Sequence, residues 1–162
     1  MKKLIALVMV AFCAIAGCSS DSAVDTAKKM IADGRAECIL VRDNEIVAFE
    51  SGGGVNPLLH LYDTAADKMA GATVVDEVIG RAAAFIAING GATAVYGELM
   101  SQDGAELLAA HNIAVSYGTM VPRILNRNRD GLCPLEQSVL GFDDPVAALE
   151  ALRARIAEMQ QQ

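Results

Sequence analysis

Residues 73–101, TVVDEVIGRAAAFIAINGGATAVYGELMS, constrain the fold more than any other stretch of the chain. They read as a short strand, an almost wholly apolar helix, a Gly-Gly stop, a second strand and the opening of another helix. Asp76 and Glu77 stand where a helix N-terminus favours negative charge. Gly90 and Gly91 stand where a helix C-terminus favours a left-handed cap. Between these signals the only polar side chains are Arg81 and Asn89. A helix apolar nearly all round must be covered on more than one side, which places it inside the fold.

The flanking segments supply the covering layers. Val24, Ala27, Met30 and Ile31 recur at helical spacing, and Gly34 closes that helix. Residues 36–41 and 46–49 are short apolar strands joined by Asp43 and Asn44, which suit a tight hairpin. Ser51 and the triplet Gly52, Gly53 and Gly54 precede a helix through Leu58, Leu59 and Leu61. After the central segment come a strand over residues 92–99, a helix from Ser101 to His111 closed by Asn112, and a strand over 113–117. Strand, helix, strand, helix, strand in short succession predicts a largely parallel sheet with right-handed crossovers. A long polar loop follows. A last helix opens at Asp144-Pro145 and carries Val146, Leu149, Leu152, Ile156 and Met159 on one face.

The first twenty residues stand apart from this domain. Lys2 and Lys3 precede an unbroken apolar run over residues 4–16. As a helix the run would span roughly 20 Å, short of the roughly 30 Å hydrocarbon core, so it reads as a secretory signal and not a membrane span. Ile15-Ala16-Gly17-Cys18 resembles the lipobox of bacterial lipoproteins. That resemblance implies a signal peptide over 1–17, a lipid on Cys18, a tether over 18–22 and a domain over 23–160. The protein would then sit in the cell envelope, facing the periplasm or the exterior, with the membrane as its partner through Cys18.

The chain has 13 basic and 20 acidic residues; without Lys2 and Lys3 the balance is 11 against 20, a charge of −9. So acidic a domain argues against nucleic acid as a partner. Of the four cysteines, Cys13 leaves with the signal and Cys18 carries the lipid. Cys38 and Cys133 remain; they could form a disulfide outside the cytoplasm, but Cys38 lies in an apolar run and reads as a small buried hydrophobe.

The blocks GGGVNPLL, VVDEVIGRAAA, AVYGELMS, VPRILNRNRDGLCPLE and DDPVAALEALR, in that order, resemble a family without settled function, domain of unknown function 1893, within the cytidine-deaminase-like superfamily. The resemblance covers residues 22–156. It implies an α/β fold, a cytidine-deaminase-like three-layer α/β/α sandwich around a mixed sheet of 4–5 strands. Zinc deaminases hold a metal-bound hydroxide with a His or Cys and a glutamate at one helix N-terminus and two cysteines at the next. Matching Val78-Ile79-Gly80-Arg81 to the deaminase Cys-x-Glu-Arg pattern puts valine at the ligand and glycine at the glutamate. The second helix mouth, Leu99-Met100-Ser101-Gln102, offers no thiol. The sequence therefore argues against a zinc deaminase and calls for no metal or other cofactor.

Other chemistry has to come from elsewhere. The implied fold gathers Asp76, Glu77, Glu98, Ser101 and Asp103 near the C-terminal edge of the sheet, where open α/β sheets bind ligands. Carboxylates there serve either a hard cation or the helix dipole. Arg81, charged within a buried helix, needs a partner, and Glu98 is the first candidate. The glycine triplet can present backbone N–H groups to an anion, although it matches no Walker or dinucleotide pattern. Arg123, Asn126, Arg127 and Arg129 could cradle a phosphate or carboxylate. Cys133, ahead of Pro134 and three residues before Glu136, is the one candidate nucleophile, because a helix N-terminus favours the thiolate. The favoured reading is a zinc-free domain binding a small anionic or nucleotide-like ligand through Gly52, Gly53, Gly54, Asp76, Arg81, Glu98, Ser101, Asn126 and Arg127. An enzyme using Cys133 and a non-catalytic envelope interaction module are the alternatives.

Overall fold

A computed structural model describes residues 22–161. The expected signal peptide, the expected lipidation of Cys18 and most of the expected tether fall outside the described residues. Five strands form one mixed sheet in the order β2-β1-β3-β4-β5. These are β1 (Cys38–Arg42), β2 (Glu45–Glu50), β3 (Thr73–Ile79), β4 (Ala94–Ser101) and β5 (Ala114–Val121). β3, β4 and β5 run parallel, while β1 lies antiparallel to both β2 and β3. The β1–β2 turn is made by Asp43 and Asn44, both with positive φ, as the hairpin signal predicts.

Helices cover the two faces unequally. On one side α1 (Ala23–Ala32) packs Ala27, Met30 and Ile31 against Ile39, Val41, Val75 and Tyr96. The other side carries the main core, under α2 (Asn56–Thr64), α3 (Ala66–Met69), α4 (Arg81–Asn89), α5 (Gln102–Ala110), α6 (Pro134–Ser138) and α7 (Pro145–Gln160). The result is the expected α/β/α sandwich. α4 is buried from Ala82 through Ala87, lying on β3 with α2, α5 and α7 around it. Its apolar circumference is the direct cause of that central position.

Three expectations need correcting. Asp76 and Glu77 do not open a helix: they lie inside β3, which runs to Ile79, and α4 starts at Arg81. Pairing with β1 on one side and β4 on the other outweighs a local helix-start signal. β5 continues four residues past Tyr117, because Thr119, Met120 and Val121 go on pairing with Leu99, Met100 and Ser101. On α7, Leu149 and Leu152 are buried and Ile156 is half-buried, but Val146 and Met159 are exposed. The expected five-residue stripe is thus contracted to its centre.

Candidate functional site

The N-termini of α2, α4 and α6 meet at a small cleft of about 70 Å³ beyond the C-terminal end of β3. Gly54, Val78, Gly80, Ile124, Cys133 and Glu136 are among its walls. Its central feature is the Glu136 carboxylate, 7% exposed. Oε2 accepts the Arg81 N–H at 2.8 Å and Oε1 the Ala82 N–H at 2.9 Å, so α6 caps α4 from 55 residues away. Gly80, the N-cap of α4, has no side chain to do this itself. Burial raises the Glu136 carboxyl above its ordinary range, and the two N–H donors partly offset that. The chemistry on offer is a buried hydrogen-bond acceptor in an otherwise apolar recess.

The loop between β5 and α6 forms the roof as a small hairpin. Leu125 bridges Leu132, Asn126 N–H donates to the Gly131 carbonyl, and Cys133 N–H donates to the Ile124 carbonyl. The Asn126 side chain is used within this turn, donating to Asp130 at 2.7 Å and accepting from its N–H at 3.2 Å. Arg123, Arg127 and Arg129 are exposed. Among the described residues none of the three has an ion-pair partner.

The other predicted residues scatter. Gly54 lines the cleft in a left-handed conformation, whereas Gly52 and Gly53 lie outside it on the exposed loop. Ser101 is buried and caps α5 by accepting the Gly104 N–H at 3.0 Å. Arg81 does not reach Glu98. As the first residue of α4 it points to the segment between α6 and α7, donating to the Phe142 carbonyl and lying 3.8 Å from Asp143. Glu98 is exposed on the α1 side of the sheet and accepts from the Tyr96 hydroxyl at 2.6 Å, which pushes that phenol up to about 12. Asp76 faces the main core beside Cys38, 5% exposed, and accepts the Val78 N–H at 2.9 Å. Burial raises its carboxyl to about 7. Burial, reinforced by Asp76, likewise pushes the Cys38 thiol well up. Cys38 and Cys133 are both free. Cys133 is the N-cap of α6 and lines the cleft, but His60 lies against Glu50 at 3.4 Å and His111 ends α5. Neither histidine is a wall of the cleft.

A family model described as TM1506, domain of unknown function (DUF1893), matches residues 26–156. The chain belongs to the DUF1893 family. Among solved structures it is similar to a DUF1893 family protein, TM1506, from Thermotoga maritima, with TM-score 0.72 and 21% identity, covering 80% of this chain and 87% of that one. That likeness is one of fold. A looser one, with TM-score 0.40 and 18% identity, is to a diaminohydroxyphosphoribosylaminopyrimidine deaminase/5-amino-6-(5-phosphoribosylamino)uracil reductase of the same organism, covering 65% of this chain and 34% of that one. No match was found among curated proteins.

The residues of this DUF1893 chain do not fit a deaminase zinc. Val78 and Gly80 carry no ligand atoms, the mouth of α5 offers no thiol or imidazole, and a Cβ on Gly80 would already stand 2.4 Å from Oε1 of Glu136. Among the described residues no group of three His, Cys, Asp or Glu is placed to hold a metal ion. Glu136 is the site residue that sequence reasoning misses: it marks only the third position after Cys133 there, whereas its carboxylate caps α4. The usable signal was Gly80, a helix start whose cap had to come from elsewhere in the chain.

Proposed function

We propose that this DUF1893 domain is a zinc-free binding module of the deaminase-like type, whose ligand is a small anion carrying a compact neutral group. Its anionic part would lie on Arg123, Arg127 and Arg129, with the neutral part entering the cleft and donating a hydrogen bond to Glu136. The observation that carries this reading is the shared structure: Ile124 and Cys133, at the two ends of the arginine hairpin, are also walls of the cleft. Volume sets the scale. Ligand sites are typically roughly 300–1,000 Å³, so about 70 Å³ takes a fragment and leaves the base or sugar of any nucleotide-like ligand on the rim. Glu136 also disfavours an anion at the N-terminus of α4, where a carboxylate is already bound.

Thermal unfolding with inorganic phosphate, sugar phosphates and nucleotides tests this. A ligand should raise the melting temperature of the parent but not of the triple variant Arg123→Gln, Arg127→Gln, Arg129→Gln. No shift with any compound, or an equal shift in the triple variant, would discard it. We further propose that the module works in the cell envelope, held by a lipid on Cys18. Labelling with an alkynyl fatty acid should mark the parent and not Cys18→Ser; labelling of both would place any acyl group elsewhere.

A further inference from the structure

A second cavity, of about 420 Å³, lies at the far edge of the sheet and shares no wall residue with the cleft. One wall is β2, an edge strand paired only with β1 among the described residues. Residues 46–50 all line the cavity. Side chains alternate between faces along a strand. Five consecutive residues can therefore share one wall only if the strand edge itself, with its open N–H and C=O groups, forms part of it. A bulge adds to this opening: Leu40 pairs with Ala48 and Val41 with Ile46, so Val47 has no partner in β1. Across the groove stand Leu61 and Thr64 of α2, Ala65 at the α2–α3 junction and Lys68 of α3.

The groove is polar in a directed way. At one end Glu50 is engaged by His60 at 3.4 Å. At the other, where Arg42 of β1 pairs with Glu45 and donates to the Asp67 and Ala70 carbonyls, Lys68 is exposed with no ion-pair partner among the described residues. A second copy of this chain is a poor occupant. Antiparallel pairing of two β2 strands about a two-fold axis would set Glu45 of each against Glu50 of the other, and like charges directly opposed destabilise a ladder.

We propose that this groove binds an extended peptide segment of another protein, which adds to β2 as a sixth strand and places an acidic side chain or terminal carboxylate at Lys68. Main-chain hydrogen bonds along the β2 edge hold the peptide, and alternate apolar side chains settle over Leu61 and Ala65. This site is independent of the cleft and stands whether or not the cleft binds a ligand.

The test is selection of peptides on the intact protein from a random heptapeptide library with free C-termini, followed by fluorescence polarisation. Selected peptides should alternate apolar residues and carry a carboxylate. Thr64→Trp, an exposed position that fills the groove, should weaken them by about tenfold or more. Lys68→Glu should weaken the acidic peptide and favour its lysine-substituted form. A Cys133→Ser protein, altered in the cleft, should bind as the parent does. The proposal is overturned if no peptide is enriched, or if enriched peptides bind Thr64→Trp unchanged. A dimer in sedimentation that Thr64→Trp dissolves would also overturn it, by making a second copy the occupant.

Discussion

A methyl group at Gly80 would meet the Glu136 carboxylate, with its three atoms 2.4–2.8 Å away. The two residues therefore form one device, in which the missing side chain makes room for a cap delivered from α6. Gly80→Ala should cost about 1–3 kcal/mol through overpacking. Glu136→Ala should cost about 1–3 kcal/mol by leaving the Arg81 and Ala82 N–H groups unsatisfied. In the double variant the clash is gone, so the combined loss should fall short of the sum by about 1 kcal/mol or more in urea unfolding. Strict additivity would show that the carboxylate is not held at Gly80. Asp76 gives the second test at this scale. Its folded carboxyl, at about 7 against an ordinary 3.8, keeps a proton that the unfolded chain has lost. Its contribution is thus most favourable below about pH 4, declines as pH rises to about 7, and is level beyond, with a full swing on the order of 4 kcal/mol. Asp76→Asn should remove that decline, so the difference in unfolding free energy between variant and parent should grow across this window. A pH-independent difference would disprove the assignment.

Among the elements, termini carried by chemical punctuation were readable from the residues, and those set by pairing were not. The left-handed Gly91 after α4, the Asp43-Asn44 hairpin and the Asp144-Pro145 start of α7 all sit where local chemistry puts them. β3 defeats that logic, since Asp76 and Glu77 look like the first turn of a helix. The sheet accommodates both, turning Glu77 to solvent and burying Asp76 with its charge suppressed. Arg81 fails for a related reason: its partners lie in the Phe142–Asp143 turn, more than sixty residues away, and nothing local indicates them. The site was half legible, because Gly54 and Cys133 follow from turn and cap rules while the reach of Glu136 is tertiary. At α7 the cap can be tested directly. Asp144 accepts from the Val146 and Ala147 N–H groups at 3.2 and 3.3 Å. Asp144→Ala should cost about 1 kcal/mol of unfolding free energy, and Asp144→Asn much less. Equal losses would mean that the side chain's hydrogen bonds do not stabilise α7.

At the scale of the whole molecule, the sheet separates two cores of very different extent. The main one joins α2, α4, α5 and α7 to the sheet through Leu58, Phe85, Ile86, Leu108 and Leu152, all fully buried. The other is α1 alone, docked by Ala27, Met30 and Ile31, by Lys28 over the Tyr96 ring at 4.3 Å, and by the Ala23 N–H on Asn44. α1 leaves the β4–β5 end of its face open, where Glu98, Ser116 and Gly118 are exposed. Cooperative units open in the order of their buried apolar contacts. Native-state hydrogen exchange should therefore find the α1 amides released by a sub-global opening with a small denaturant dependence, while α4 and β3 amides exchange through global unfolding. Met30→Ala should speed exchange in α1 and leave α4 close to the parent, because the methionine packs on the smaller core only. If α1 and α4 amides instead share one free energy and one denaturant slope, the two faces fold as a single unit. The sheet would then transmit the docking of α1 to the buried helix on its opposite face.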